Sequence, residues 1–215
     1  MRSARSLAKL ERMVHGRLER LRRLIGQVLQ PGVDASIKDR VVGYAVIEAH
    51  NAWSNFVRSY LLSLVGAART KSGARIVISN LSVQTPGDLL LVATRVAKGP
   101  YAAPPTTRRD EPAWHDISIL SRTCNQIQPS NLAEVQAALG IQTRVFADLP
   151  PFRNFYAHRN QESAERVLRL AQTNYLITRV STPTMALLST YGQRPQPLIL
   201  DWIDDISVVV DFLCI

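Results

Sequence analysis

The sequence predicts an all-α protein, a helical bundle with long connecting loops and a C-terminal extension. Two long amphipathic patterns near the N terminus, N-capping signals further along, and the lack of paired strand-like segments support this prediction. The chain has 215 residues, enough for one good core. We expect a helical domain over residues 1–180 and an extension over residues 181–215 that packs on the same domain.

The first predicted helix carries apolar residues three or four positions apart, which places them on one face. These residues are Leu7, Leu10, Val14, Leu18, Leu21, Ile25 and Val28. Pro31 and Gly32 end this helix. A second helix is predicted from about Ser36 to Ala68. Because two long helices follow each other closely, we expect them to form an antiparallel hairpin.

The opposite face of the first helix is basic. It carries Arg5, Arg12, Arg17, Arg20 and Arg23. The whole chain has 26 Lys+Arg and 17 Asp+Glu, a net charge of +9. This charge suits a polyanionic partner such as nucleic acid, although it also serves solubility alone. The basic face is therefore either a solvated surface or a surface that holds phosphates.

The next elements alternate between loops and capped helices. Residues 76–78 resemble a short strand, but no partner strand follows, so we predict a crossing loop. Thr85, Pro86 and Asp88 have the order of an N-cap, a first-turn proline and an early acid, which predicts a helix to about Lys98.

A surface loop is predicted over residues 99–114, and a helix from about Ile117 to Ile127 follows it. Asn131 and Glu134 then have the spacing of a capping box for a short helix that ends at Gly140.

The last third of the chain begins with a helix-start signal at Asp148, Pro150 and Pro151. We therefore predict one helix from Phe152 to about Ile177, with its N terminus directly behind the prolines. The final segment, DWIDDISVVVDFL, predicts a last helix or a strand. Its aspartates lack the converging histidine or glutamate of a metal site, and we expect no metal.

The segment PFRNFYAHRN, residues 151–160, combines residue types that suit phosphodiester chemistry. Histidine transfers protons near neutral pH, and arginine clamps a phosphate with two parallel hydrogen bonds. On a helix, Arg153 and His158 lie about 140° apart, whereas Asn154 and His158 share a face. A helix N terminus at this point would add N–H groups for a bound phosphate. Alternatively, the aromatic residues pack in the core and the charged ones are solvated.

The wording RNFYAH, in which an arginine precedes a histidine by five positions and is followed directly by Asn154, resembles the R-x4–6-H signature of the HEPN superfamily. EAHNAWSNFVR, residues 48–58, is similar to the second-helix wording of prokaryotic HEPN nucleases of the abortive-infection and toxin type. The resemblance covers residues 1 to about 178. It implies a HEPN-like helical bundle and a metal-independent endoribonuclease that cleaves RNA by attack of the ribose 2'-OH, as a toxin or an anti-phage defence effector.

The resemblance also implies roles for individual residues. Arg153 and His158 become the catalytic pair, with His158 transferring protons, Arg153 stabilising charge and Asn154 orienting the site. No cofactor is implied, and two copies are expected to form a homodimer with a composite active site. HEPN toxins with a nucleotidyltransferase-fold antitoxin carry a tyrosine two residues after the histidine, where this chain has Asn160.

Five further residues are predicted to bind RNA or line the cleft: Arg159, Asn160, Tyr156, Glu48 and Asn51. Tyr156 either stacks on a base or, as we favour, packs in the core. The second-helix pair either lines the cleft or lies on an exposed helical face.

The expected partners are RNA, a second copy of the chain, and an antitoxin or another component of a defence system. No apolar run of about 18 residues predicts a membrane span, and we expect a cytoplasmic protein. Two alternatives remain open, a catalytically inactive HEPN module that binds RNA, a nucleotide or a protein, and a purely structural helical subunit.

Overall fold

The computed structural model describes residues 6–215, which form nine α-helices and no β-sheet, so the predicted all-α fold class is confirmed. The helices are α1 (Leu7–Val28), α2 (Ala35–Val65), α3 (Pro86–Lys98), α4 (Ile117–Ile127), α5 (Leu132–Leu139), α6 (Val145–His158), α7 (Gln161–Tyr175), α8 (Pro183–Leu188) and α9 (Leu198–Leu213). None of these helices is long and apolar enough to cross a membrane.

The described chain forms two compact units. Unit 1 contains the described residues up to His15, together with Trp53–Gln142 and Val208–Ile215, and unit 2 contains Gly16–Ala52 and Thr143–Ser207. α1, α2 and α9 each contribute residues to both units. The predicted division of the chain at residue 180 stays a prediction.

The apolar stripe predicted for α1 is confirmed, because all seven of its residues are buried. The arginines of the opposite face from Arg12 to Arg23 are exposed or half-buried, and Arg5 lies outside the described residues. This division of faces follows from the 3.6-residue period of a helix, which gathers residues three and four apart. Burial of the stripe fixes which face of α1 remains available to solvent.

In unit 1, the predicted N-cap of α3 is confirmed. The Thr85 hydroxyl accepts a hydrogen bond from the Asp88 backbone N–H at 3.2 Å, and the Asp88 carboxylate accepts one from the Thr85 N–H at 2.8 Å. The two bonds satisfy orphan donors of the first helical turn reciprocally. α3 packs on α4, and α4 packs on α5.

The capping box predicted for α5 is wrong, although the helix itself forms. The Asn131 side chain makes no capping hydrogen bond. It is buried, and its Nδ2 donates to the Tyr60 hydroxyl at 3.1 Å instead. A buried amide must find a partner, and the tyrosine hydroxyl from α2 provides a tertiary one that the local sequence pattern does not reveal.

In unit 2, the predicted helix start behind Pro150 and Pro151 is wrong. α6 begins at Val145, continues through both prolines and ends at His158. Each internal proline removes one backbone hydrogen bond and costs about 3 kcal/mol in a regular helix. Tertiary packing must therefore hold the helix together at this point.

A buried carboxylate supplies part of that packing. Asp148 accepts hydrogen bonds from the Tyr175 hydroxyl at 2.7 Å and from Asn174 Nδ2 at 3.2 Å, both at the end of α7. Arg144 Nε donates to it at 3.2 Å. Trp202 Nε1 of α9 donates in turn to the Tyr175 hydroxyl at 3.0 Å. This Asp148 network ties α6 to α7 and to the part of α9 in unit 2.

The last segment of the chain is helical, which decides between the two forms predicted for it. α9 includes the three consecutive valines Val208, Val209 and Val210. Val209 and Val210 are buried, whereas Val208 is exposed. Burial of a helical face therefore outweighs the strand preference of β-branched residues here.

Candidate active site at the junction of α6 and α7

The motif lies where α6 ends and α7 begins. Arg159 follows the last residue of α6 and has the left-handed backbone, with φ 48° and ψ 41°. This conformation is uncommon for a residue with a side chain, and it turns the chain directly into α7. Asn160 is the N-cap of α7, and its Oδ1 accepts from the Ser163 N–H at 2.8 Å. The sequence RNFYAHRN therefore spans the end of one helix and the start of the next.

The prediction that the motif lies at the N terminus of its own helix is wrong. Arg153 lies well inside α6, and His158 is the last residue of that helix. The C-terminal end of a helix presents carbonyl groups and partial negative charge, which do not favour a phosphate. The N–H groups at this junction belong to the first turn of α7 instead.

A cavity of about 300 Å3 opens at this junction. It is lined by Asn154, His158, Asn160, Glu162, Ser163 and Arg166. As their four-residue spacing predicts, Asn154 and His158 share a helical face and line the same cavity. α7 contributes the rest of the wall, so the junction combines an imidazole, a guanidinium, polar side chains and a helix N terminus.

Arg153 is half-buried and is not one of the residues that line this cavity. Its Nη1 donates to Asn154 Oδ1 at 3.3 Å. Its Nε is buried and has no hydrogen-bond partner among the described residues. Arg153 therefore reaches the cavity only through the amide of Asn154, as the 140° separation along the helix leads one to expect.

Tyr156 and Arg159 lie on another side of the same helix end. Tyr156 is buried, and its hydroxyl is hydrogen-bonded to Thr184 Oγ1 at 2.8 Å. Burial raises the pKa of this phenol, despite the hydrogen bond to Thr184. The Arg159 guanidinium bonds to Asp39 and lies 5.4 Å above the Tyr156 ring centre. Tyr156 therefore packs in the core, and Arg159 is bound to a carboxylate of α2.

Asp39 completes a network of four side chains. It accepts hydrogen bonds from Arg159 and, at 2.6 Å, from Thr184 Oγ1. Burial alone would raise the pKa of Asp39, but these two bonds and the Arg159 charge lower it below its ordinary value. Because Thr184 donates to Asp39, the Tyr156 hydroxyl must donate to Thr184. We call these four residues the Asp39 network.

The two candidates from α2 lie elsewhere in unit 2. Glu48 lines a different cavity, and Asn51 Nδ2 donates to Glu48 Oε1 at 3.1 Å. Neither residue is among those lining the α6–α7 cavity. Arg58, from the same stretch of sequence, forms a bidentate pair with Glu111 in unit 1, at 2.6 and 2.7 Å.

Sequence reasoning missed Glu162, Ser163 and Arg166. All three follow the motif, so a search for the arginine–histidine spacing does not reach them. The available signal is the order Asn160-x-x-Ser163, an N-cap followed by a polar residue at the third helical position. That signal places a helix start at residue 161, which brings Glu162 and Arg166, four apart, onto one face.

One group of three metal-ligating side chains occurs among residues 6–215, and it lies in unit 1. The ligand atoms of Glu11, His15 and Asp211 all lie within 4.8 Å of one another. Lys71 Nζ approaches Glu11 Oε1 to 2.5 Å, and His15 Nε2 lies 2.9 Å from Asp211 Oδ1. The lysine ammonium thus already provides a positive charge beside these two carboxylates.

Comparisons of the chain with family models, curated proteins and solved structures gave no match. Imidazole is the one side chain in the α6–α7 cavity suited to transferring a proton near neutral pH. Arg166 and the N–H groups of the first turn of α7 favour an anion beside it, whereas the carboxylate of Glu162, in the same turn and cavity, opposes one.

Proposed function

We propose that the protein is a metal-independent endoribonuclease of the HEPN type and that the α6–α7 cavity is its active site. The observation that carries the proposal is the convergence of His158, Asn154 and Arg166 on one cavity at the N terminus of α7. Arg153 contributes indirectly, because its hydrogen bond to Asn154 orients that side chain.

The proposed reaction is an attack of the ribose 2'-oxygen on the neighbouring phosphorus. The 2'-OH loses its proton to a base, the new P–O2' bond forms, and the P–O5' bond breaks as an acid protonates the leaving 5'-oxygen. The products are a 2',3'-cyclic phosphate and a 5'-OH. His158 transfers a proton, and Arg166 stabilises the charge that develops on phosphorus-bound oxygens. Arg153 orients Asn154 through its hydrogen bond.

The same chemistry gives a reason for a homodimer. A base and an acid are both needed, and the α6–α7 cavity of one chain contains a single histidine. A second copy that faces this cavity would bring its own His158, as the other proton-transfer group, into a composite site. The role as a toxin or anti-phage effector, restrained by an antitoxin or another defence component, is proposed on the sequence resemblance alone.

Cleavage of single-stranded RNA in the presence of EDTA tests the proposal. The wild-type protein is expected to produce 2',3'-cyclic phosphate ends and to leave DNA of the same sequence intact, since DNA has no 2'-OH. His158→Ala should abolish visible cleavage. If purified protein does not cut RNA at any concentration at which it binds RNA, the enzyme proposal fails.

One observation favours a second candidate, a catalytically inactive HEPN module that binds RNA, a nucleotide or a protein partner. The Arg153 guanidinium does not line the cavity that holds His158. A catalytic arginine has to reach the reacting phosphate directly. Salt-sensitive RNA binding without any cleavage would support this second candidate.

A further inference from the structure

A second cavity in unit 2, of about 260 Å3, lies on α1 and α2. Its lining residues are Arg17, Arg20, Leu21 and Leu24 from α1, and Tyr44 and Glu48 from α2. Arg17 and Arg20 are three positions apart, and Tyr44 and Glu48 are four apart, so each pair lies on one helical face. The cavity therefore has a cationic wall, an aromatic and acidic wall, and an apolar part formed by the leucines.

The two arginines of this cavity have no acidic partner among residues 6–215. By contrast, Arg22, two residues after Arg20, bonds to Asp204, and its Nε lies 3.4 Å from Glu19 Oε1. No such pair includes Arg17 or Arg20, even though Glu48 lines the same cavity. Because two cations and a carboxylate line one cavity, a ligand that presents an anion to one wall and a hydrogen-bond donor to the other would pair with both.

Tyr44 and Glu48 define what that ligand is. The Tyr44 side chain is 54% exposed, although it is an aromatic residue in a basic cavity. An exposed aromatic ring beside arginines is the arrangement on which single-stranded bases stack. Glu48 Oε1 accepts from Asn51, and its other oxygen is available to an amino group. Carboxylates recognise bases through such amino donors.

We infer that this cavity binds one nucleotide whose base carries an amino group. The phosphate lies against Arg17 and Arg20, the base stacks on Tyr44, and the amino group donates to Glu48. Guanine is the favoured base, because its N1–H and N2 amino group are adjacent donors. One of them bonds to the second oxygen of Glu48, and the other bonds to Oε1, which can accept a further hydrogen bond beside the one from Asn51. A free nucleoside monophosphate and a unit of single-stranded RNA present the same groups. The inference goes beyond the proposed function, since binding here needs no cleavage at His158.

The cationic wall is tested by comparing two double variants with the same charge change on the same helix. Arg17→Ala/Arg20→Ala removes the wall, and Arg12→Ala/Arg23→Ala removes two other arginines of the basic face. Binding of fluorescent guanine-containing single-stranded RNA is measured between 50 and 200 mM salt (about a fourfold range), in a His158→Ala background that prevents cleavage. Because one phosphate contact is lost, the first variant should lower the slope of log K against log salt by about 0.7, and the second variant should lower it much less. Equal losses would overturn the inference.

The other wall is tested by base selectivity. In titrations, the wild-type protein should bind GMP roughly 5-fold or more tightly than UMP. Glu48→Gln should reduce this ratio of affinities. Glu19→Gln, which makes the same charge change outside the cavity, should leave the ratio unchanged. Tyr44→Ala should weaken binding of both nucleotides by at least about 5-fold. Tighter binding of RNA than of GMP identifies an RNA unit as the ligand, and equal affinity identifies the free nucleotide. Absence of a GMP preference, or no binding of either, would overturn the inference.

Discussion

Two sides of the C-terminal end of α6 differ in how completely their polar groups are satisfied. On one side, Tyr156 and Arg159 join the Asp39 network, in which each polar group has a partner from α2 or α8. On the other side, His158 is exposed and forms no hydrogen bond within the described residues, and Asn154 is held only by Arg153. Within one short motif, Tyr156 and Arg159 are therefore hydrogen-bonded to other helices, whereas His158 is exposed to solvent.

This difference indicates which residues hold the end of α6 in position and which are available to a ligand. A folded chain normally pairs its buried polar groups, so the Asp39 network is explained by the fold. Exposed imidazole and guanidinium groups around a cavity need no such pairing, and they are where a ligand supplies the partners. The network also fixes the end of α6, because Gly43 of α2 lets the Tyr156 ring approach its backbone closely. The Asp39 network thus holds the end of α6 in place, and with it Asn154 and His158.

The largest expected effect is the loss of RNA cleavage when His158 is replaced. His158→Ala should reduce the rate of RNA cleavage by about 100-fold or more, because a positioned proton-transfer group contributes roughly 10²- to 10⁴-fold. The melting temperature should not change, since the imidazole is exposed. Single-turnover cleavage and calorimetry measure both quantities. The control is Gln172→Ala, an exposed position on α7, and an equal loss in that variant would contradict the assignment.

The next effect concerns stability rather than chemistry. Asp148→Ala should lower the free energy of unfolding by about 3 kcal/mol, because it leaves the buried Tyr175 hydroxyl and the half-buried Asn174 amide without their acceptor. Urea unfolding followed by circular dichroism measures the change. Glu165→Ala, which removes an exposed ion pair with Arg169 at 3.7 Å, should cost less than about 0.5 kcal/mol. Similar losses in both variants would show that the Asp148 network does not hold α6.

The sequence is a good guide wherever local periodicity decides the structure. The apolar stripe of α1 and the cap of α3 depend on residues within one or two turns of each other, and both are as predicted. The predicted start of α6 fails for the opposite reason. Pro150 and Pro151 are local signals, but Asp148 binds residues of α7 that lie 26 and 27 positions away. Long-range pairing therefore overrides the local signal.

The candidate site follows the same rule. The shared face of Asn154 and His158 is a matter of helical spacing and could be predicted. The capture of Arg159 by Asp39 joins residues 120 positions apart, and no pattern in the sequence indicates it. Arg166 enters the cavity only because the chain turns at Arg159 and starts a new helix.

Substitutions at two separate glycines, Gly43 and Gly16, test how tightly the Asp39 network is packed. A Cβ at Gly43 would lie 2.7 Å from Tyr156 Cδ1 and 3.3 Å from Arg159 Nη2, whereas a Cβ at Gly16 would meet no atom within 4 Å. Gly43→Ala should therefore cost about 1–2 kcal/mol, as overpacking exceeds the gain in helix propensity. Gly16→Ala, in the interior of α1, should stabilise the protein by about 0.5–1 kcal/mol. Thermal unfolding measures both, and stabilisation by Gly43→Ala would show that the Tyr156 ring moves freely.

The smallest effect is the contribution of the Asp39 charge, and its pH dependence gives the sharpest measurement. The pKa of Asp39 lies below its ordinary value of 3.8 in the folded protein. The carboxylate therefore stabilises the folded state above that value, and its contribution is lost as the pH falls through the lowered pKa. Because Asp39 and Arg159 are both partly exposed, Asp39→Asn should cost at most about 1 kcal/mol at pH 7. Urea unfolding at pH 7 and at about pH 3 should show the difference between wild type and variant shrinking in acid. A difference that stays the same at both pH values would mean that the shape of the side chain, and not its charge, holds Arg159 and Thr184.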